Sequence, residues 1–406
     1  MTDAATTQGP IRLDAPRTRY EPAFDGMRAV TVISIMIFHF GFDQFYEGGV
    51  INVDVFFVLS GFLITNLLLD EQHREGRVSF RGFYHRRILR LFPAMYTVIG
   101  VYVLFALVIG WSHPSIWGEI VAAALYSYQL FLGFFGFGSP EQPRYLLHLW
   151  TLSVEEWFYF FWPLLLIVSL RKIRWQKVLL VGSVLFMAFW MVVRLSGSAA
   201  GVDWQGGADA FDALGYGGQV LYRFSTMRFD MLVAGCLLAI VRRRLGEELT
   251  HRQARIIGVL AAIGLALFLG ESVLAGRVHF FDPFGSLGFN LALLGIPPVV
   301  LWVHFHRKSW AVGWLCVPLM VWVGRRSYAL YLWHEILNGV VPTAHGKVPL
   351  VLRTVLLLAL SAGVAELSWR FIESPFLRKK TATYGRGTSG LEADAPKPGP
   401  GDAAPS

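Results

Sequence analysis

The sequence predicts an all-α, polytopic membrane protein: about ten transmembrane helices plus one re-entrant segment, with both termini cytoplasmic. Three observations carry that expectation. Of 406 residues 54% are hydrophobic and only 16% charged, with 32 Phe and 14 Trp, and the mean hydropathy is +0.49, too apolar to coat a water-soluble surface. Apolar segments recur along nearly the whole chain. Basic residues gather in alternate connections, the asymmetry that orients helices in a bilayer. At about 20 residues per crossing, ten crossings take roughly 200 residues and leave only loops and tails. In such a chain the net charge of +8 reports topology rather than nucleic-acid binding.

Residues 1–22 are polar, contain Pro10 and Pro16, and carry Arg12, Arg17 and Arg19; they read as a disordered cytoplasmic arm. No small-residue cleavage site follows the first apolar run, which itself carries Arg28 and His39, so a cleavable signal peptide is not expected. Apolar segments follow at 24–42, 50–69, 91–110, 119–136, 152–170, 177–195, 220–241, 256–274, 286–305, 327–343 and 350–370. Cations cluster after the second (Arg74 to Arg90), the fifth (Arg171 to Lys177), the seventh (Arg242 to Arg255) and the ninth (Arg307 to Arg326), whereas the alternate connections hold Arg144, Arg277 and Lys347. If every segment crossed, the cluster at 171–177 would fall outside. The segment 119–136, with Ser127, Tyr128 and Gln129 at its centre, is therefore read as re-entrant, and irregular backbone at membrane depth belongs beside a working cavity. The connection 196–219 is Gly-rich and carries Asp203, Asp209 and Asp212, as an exposed external loop would. Residues 23–378 form the membrane domain, and 379–406, rich in Gly, Pro and Ala, read as a disordered cytoplasmic tail. Cys236 and Cys316 lie in apolar runs and give no disulfide framework.

Ionisable side chains within apolar helices cost several kcal/mol unless paired or hydrated, so each needs a reason. His39 stands eleven residues after Arg28, about 16 Å further along a continuous helix, which places Arg28 at the cytoplasmic entrance and His39 in the outer half. A short hairpin brings Asp54 to the depth of His39, where a carboxylate could orient the imidazole for general-base work; Glu155 is the second-choice partner, and Glu156 points about 100° away. A packing histidine is the bland alternative. Arg86, Arg87 and Arg90, in HRRILRLFP before an apolar helix, suit a phosphate-rich ligand through forked guanidinium contacts; the alternative is a headgroup anchor. Arg228 and Asp230 could pair to shape an outer substrate cavity, or form a structural ion pair. His334 is a weaker alternative base, read as packing or substrate-orienting, and Glu335 follows it. Ser60, beside Gly61, reads as a close-packing position. No metal motif, phosphate loop or nucleophile elbow occurs, so no metal and no permanently bound cofactor are expected.

With these residues in view, the chain resembles the acyltransferase-3 family of bacterial membrane O-acyltransferases from about Phe24 to Phe376. The motifs come in family order: FDGMRAVTVISIMIFHF, NVDVFFVLSGFLIT, FYHRRILRLFPAMY, LHLWTLSVEEWFYFFWPLLL, RFDMLVAGCLLA, SYALYLWH and WRFIESPF. The family's Trp-Ser-Leu is Trp150-Thr151-Leu152 here, and a tail stands where many members carry a fused hydrolase-like domain. The resemblance implies a cytoplasmic acyl-CoA donor whose phosphates are held by Arg87 and Arg90, His39 as catalytic base, and transfer of an acyl group, acetyl by family frequency, to a sugar hydroxyl of a cell-envelope glycan, glycolipid or secreted metabolite. The CoA arm would reach up toward His39 from inside, in the inner (plasma) membrane, and Arg28, Tyr331 or a backbone amide would stabilise the oxyanion. A transporter of the same acceptor is the competing reading; it predicts transport without CoA consumption, and the lack of internal repeats counts against it. A third, a scaffold in an envelope-synthesis complex, predicts that His39→Ala leaves function intact.

Overall fold

A computed structural model describes residues 10–12, 20–45, 47–108, 114–135, 145–199, 228–275, 287–342 and 347–384. Among them there are helices and turns but no strand. The predicted external loop carboxylates Asp203, Asp209 and Asp212, and almost all of the two predicted tails, lie outside the described residues.

Among the described residues, eight helical stretches are long and apolar enough to cross a membrane, making this a multi-pass membrane protein: Pro22–Phe42, Gly48–Glu75, Phe80–Val108, Leu147–Leu170, Ile173–Ser196, His251–Leu274, Gly288–Phe305 and Pro349–Lys379. Two segments expected to cross are shorter. The helix Phe229–Leu245 has 17 residues, with 220–227 outside the described residues. The helix Ser327–Val340 has 14, about 21 Å of rise against a hydrocarbon core of about 30 Å. The segment expected to re-enter is two helices, Pro114–Ala124 and Tyr128–Phe135, broken at Tyr126, whose φ of 50° is left-handed.

The chain is labelled here by its principal helices. α1 (Pro22–Ile37) runs into a π-helical turn, Phe38–Phe42, ended by Gly41 at φ 108°, a conformation that a Cβ would penalise. 3₁₀ turns to Ile51 complete the reversal, and α2 (Asn52–Glu75) returns antiparallel. α3 (Phe80–Val108) starts eleven residues before the predicted apolar segment. Ser79 caps it, its Oγ accepting from the Gly82 amide at 3.2 Å, so Arg86, Arg87 and Arg90 lie on the helix rather than in a loop. α4 (Trp150–Leu170) and α5 (Ile173–Ala199) follow. α6 (Phe229–Leu245) packs closely on α2: a Cβ on Gly61 would sit 2.0 Å from the Leu232 carbonyl oxygen, and one on Gly235 2.1 Å from that of Val58. Small residues let membrane helices approach backbone to backbone, where dispersion replaces the absent hydrophobic drive. α7 (His251–Leu274) and α8 (Gly288–Phe305) cross the same way at Gly264 and Gly295. α9 (Ser327–Val340) carries His334 and Glu335, and α10 (Lys347–Ser368) packs on it. The opening arm is not wholly free: Ile11 is fully buried, and its amide donates to Gln176 Oε1 at 3.1 Å.

Candidate active site

Two polar centres lie along one face of α9: Tyr331 lines the first, and His334, Glu335 and Asn338, three, four and seven residues further on, belong to the second. The first is a cavity between α1, α2, α3, α4 and α9. Its wall holds five arginines, Arg28, Arg86, Arg87, Arg90 and Arg325, against two carboxylates, Asp25 and Glu155. Most of these cations are held by fixed partners. Arg86 pairs with Glu71 at 2.9 Å. Arg87 pairs with Glu156 at 2.8 Å, its guanidinium 3.5 Å from the Tyr159 ring centre. Arg28 lies 3.1 Å from Asp25, which also accepts from Tyr20 Oη at 2.6 Å. Burial and then the Asp25 carboxylate raise the Tyr20 phenol to about 12, so it stays a donor at neutral pH. Because α3 begins early, Arg86 and Arg90, four residues apart, share one helix face. The cavity continues past Ser60, which donates to Glu155 Oε1 at 2.8 Å, to Thr151 and Tyr331. Ser60 therefore has a polar role, and the close packing expected of it falls to Gly61.

The second centre is built on the π turn and α9. A π turn offsets one residue from the helical register and commonly marks functional positions; here it carries His39. His39 Nδ1 lies 2.9 Å from His334 Nε2 and 3.0 Å from Glu335 Oε1. His334, fully buried, has its Nδ1 at 2.6 Å from the Tyr331 carbonyl oxygen. That carbonyl can only accept, so the His334 proton belongs on Nδ1 and Nε2 is a bare acceptor. His39 Nδ1 must then carry the proton facing His334 and Glu335, which leaves the lone pair on His39 Nε2. Asn338 Nδ2 donates to the His39 carbonyl at 3.0 Å and approaches Glu335 Oε2 at 3.4 Å. His39 is 30% exposed at its side chain, Glu335 17%, so the imidazole is reachable while its partner is sheltered. His148, buried beside Tyr331 and His334, completes an aromatic cluster.

Tyr331 joins the two centres. Its hydroxyl accepts from Thr151 Oγ1 and donates to the His148 carbonyl, both at 2.9 Å. Its side chain lines the cavity, and its backbone orients His334.

Several sequence-based pairings are corrected. Asp54 does not face His39: it is fully buried and pairs with Arg228 at 3.2 Å, because the 3₁₀ turns after Phe42 displace α2 from the simple hairpin. Glu155 faces Ser60 and the cavity, and Glu156 faces Arg87, so the partner of His39 is Glu335, which sequence reasoning noted but gave no role. Arg228 and Asp230 do not pair with each other. Arg228, left-handed at φ 55° just before α6, turns to Asp54 and the Phe289 ring, while Asp230 pairs with Arg194 at 2.5 Å. Both are buried, an internal network rather than the wall of an open cavity. Arg28 sits with the arginines of the cavity rather than beside His39. His39 is not among the residues that line the cavity; the α9 residue nearest to it there is Tyr331, one turn before His334 and Glu335. The roles of Glu335 and of Arg325, which was read only as part of a topological basic cluster, and Asn338 and His148 altogether, escaped sequence reasoning; the signal for Glu335 and Asn338 was their spacing from His334 on one short helix.

Residues 21–367 match the acyltransferase-3 family, described as an acyltransferase domain. The chain belongs to that family. It is 32% identical over 385 residues to the peptidoglycan O-acetyltransferase OatA of Listeria monocytogenes, covering 91% of this chain and 58% of that protein. It is 30% identical to the putative peptidoglycan O-acetyltransferase YrhL of Bacillus subtilis, covering 91% of this chain and 56% of that one. With the O-acetyltransferase OatA of Staphylococcus aureus the identity is 28%, over 89% of this chain and 58% of that protein. The chain thus spans less than three-fifths of the length of these relatives. No solved structure matches it.

Proposed function

We propose that this protein is a membrane O-acetyltransferase that moves an acetyl group from acyl-CoA to a hydroxyl of a cell-wall glycan, with His39 as general base. The observation that carries the reading is the hydrogen-bond direction fixed around His39: Tyr331 C=O sets His334, His334 and Glu335 set His39 Nδ1–H, and the reactive lone pair is left on Nε2. The five arginines of the cavity suit the phosphates of CoA, with Arg87 and Arg90 as the principal contacts. Ten crossings of the inner membrane, with the cavity's cationic mouth and both termini cytoplasmic, follow from the basic clusters. The glycan acceptor is inferred from the names of the relatives.

In this mechanism His39 Nε2 removes the proton of the acceptor hydroxyl as its oxygen attacks the thioester carbonyl. The tetrahedral intermediate collapses with C–S cleavage, and the proton held by His39 passes to the departing thiolate. Glu335 stabilises the transient imidazolium, as a buried carboxylate does in hydrolytic triads. A positioned base of this kind contributes about 10²–10⁴-fold. The cavity reaches Tyr331 and Thr151, and Tyr331 touches His334, so the thioester is brought toward the histidines along one face of α9.

The test is transfer of label from radioactive acetyl-CoA to envelope extracts by purified wild-type and His39→Ala protein. An alkali-labile product formed only by wild type is the expected result. No transfer by either protein, together with no CoA binding, overturns the reading in favour of transport.

A further inference from the structure

The contacts of His39 contain an excess of acceptors. His334 Nε2 and a Glu335 carboxylate oxygen both aim lone pairs at His39 Nδ1, and a single proton stands among the three atoms. The atoms are 2.9, 3.0 and 3.6 Å apart. A tetrahedral zinc ion, with bonds of about 2.0–2.2 Å, spaces its ligand atoms roughly 3.3 Å apart, so the observed triangle lies within a few tenths of an ångström of one face of its coordination shell. Two imidazoles and one carboxylate also match the donor chemistry that zinc takes in open, three-ligand sites.

The surroundings fit a metal as well as the three ligands do. His334 turns its other ring nitrogen to a backbone carbonyl at 2.6 Å, the contact that fixes the tautomer of metal-binding histidines. The second Glu335 oxygen is approached by Asn338 at 3.4 Å. His334 is buried while His39 is 30% exposed, which supplies both a rigid floor and a way in. The sequence offered no motif because the ligands come from two helices, 295 residues apart.

We propose that His39, His334 and Glu335 bind one divalent transition-metal ion, Zn²⁺ by their donor set, and that its occupancy switches the protein off. Zinc displaces the Nδ1 proton of His39. The ring's single proton, displaced from Nδ1, then resides on Nε2 of the neutral metallated imidazole, the atom that must be bare to accept the hydroxyl proton. The ion also takes up the Glu335 charge that would otherwise stabilise the imidazolium. The binding stands on geometry alone; the inhibition rests on His39 being the base.

The experiment uses the full chain in detergent, stripped with a chelator, then equilibrated with Zn²⁺ and assayed for bound metal. One zinc per chain is expected for wild type, with X-ray absorption showing two imidazole nitrogens and a carboxylate oxygen. Glu335→Gln should bind at least about 100-fold more weakly, since losing even an outer-shell partner costs 10–100-fold. If His334→Ala fails to fold, Glu335→Gln, at a partly open position, still decides the matter. Wild type that retains no zinc, or Glu335→Gln that binds as tightly, overturns the site. Inhibition of acetyl transfer in parallel with occupancy, reversed by chelator, is expected; occupancy with full activity would overturn the inhibition and His39 as base together while leaving the site standing.

Discussion

Replacing Glu335 by Gln keeps the shape of the side chain and removes the charge that faces His39. At the observed 3.0 Å, two unit charges at an effective dielectric of about 20 attract by roughly 5 kcal/mol, and by about 1.4 kcal/mol at the dielectric of water. With His39 30% and Glu335 17% exposed, solvent screens part of the interaction, and a value of about 2–3 kcal/mol lies between those limits. The attraction exists only while His39 holds the transferred proton, so it lowers the barrier without tightening the ground state. At about 1.4 kcal/mol per tenfold, kcat for acetyl transfer should fall by roughly 30- to 150-fold, with the KM for acetyl-CoA little changed. Steady-state transfer of labelled acetyl to a soluble acceptor, with CoA binding measured separately, reads both quantities. A Glu335→Gln enzyme within threefold of wild type would refute the carboxylate's role; an equal loss in Glu155→Gln and none in Glu335→Gln would restore the sequence-based pairing.

Other expectations follow from the same geometry. Arg87→Ala and Arg90→Ala should each weaken CoA binding by about 10- to 100-fold, the worth of a hydrogen bond to a charged group, without loss of helicity, as measured by calorimetry in detergent; undiminished binding would remove that residue from the phosphate site. Asp54→Leu removes the carboxylate 3.2 Å from the buried Arg228 and should lower the melting temperature, with Asp54→Leu/Arg228→Met recovering most of the loss. Gly61→Ala places a methyl 2.0 Å from the Leu232 carbonyl oxygen and should destabilise by about 1–3 kcal/mol through separation of α2 and α6; a wild-type melting temperature would show that the two helices do not approach so closely.

The helical, membrane-spanning character was legible in the composition and in the apolar runs of about 20 residues, because the bilayer leaves few other ways to satisfy a backbone. The break in the segment 119–136 was legible too, in Ser127, Tyr128 and Gln129. The start of α3 was not: the arginines made 80–90 look like a loop, yet Ser79 caps a helix there and nothing between it and Leu91 stops one. The identities of the charged side chains were visible, but not which charge met which. That choice depends on where the backbone leaves the helical conformation. Gly41 and the 3₁₀ turns carry Asp54 away from His39, and the left-handed Arg228 turns it toward Asp54.

The same point explains why His39 was identifiable while its partner was not. In the proposed role of base, what matters is which ring nitrogen is bare, and that is decided by the carbonyl of Tyr331, a group no side-chain pattern reveals. Tyr331 C=O fixes one proton on His334, which fixes one on His39. Glu335 and Asn338 are one turn apart on that same helix, so a single 14-residue element sets the tautomer, the charge and the position of the base.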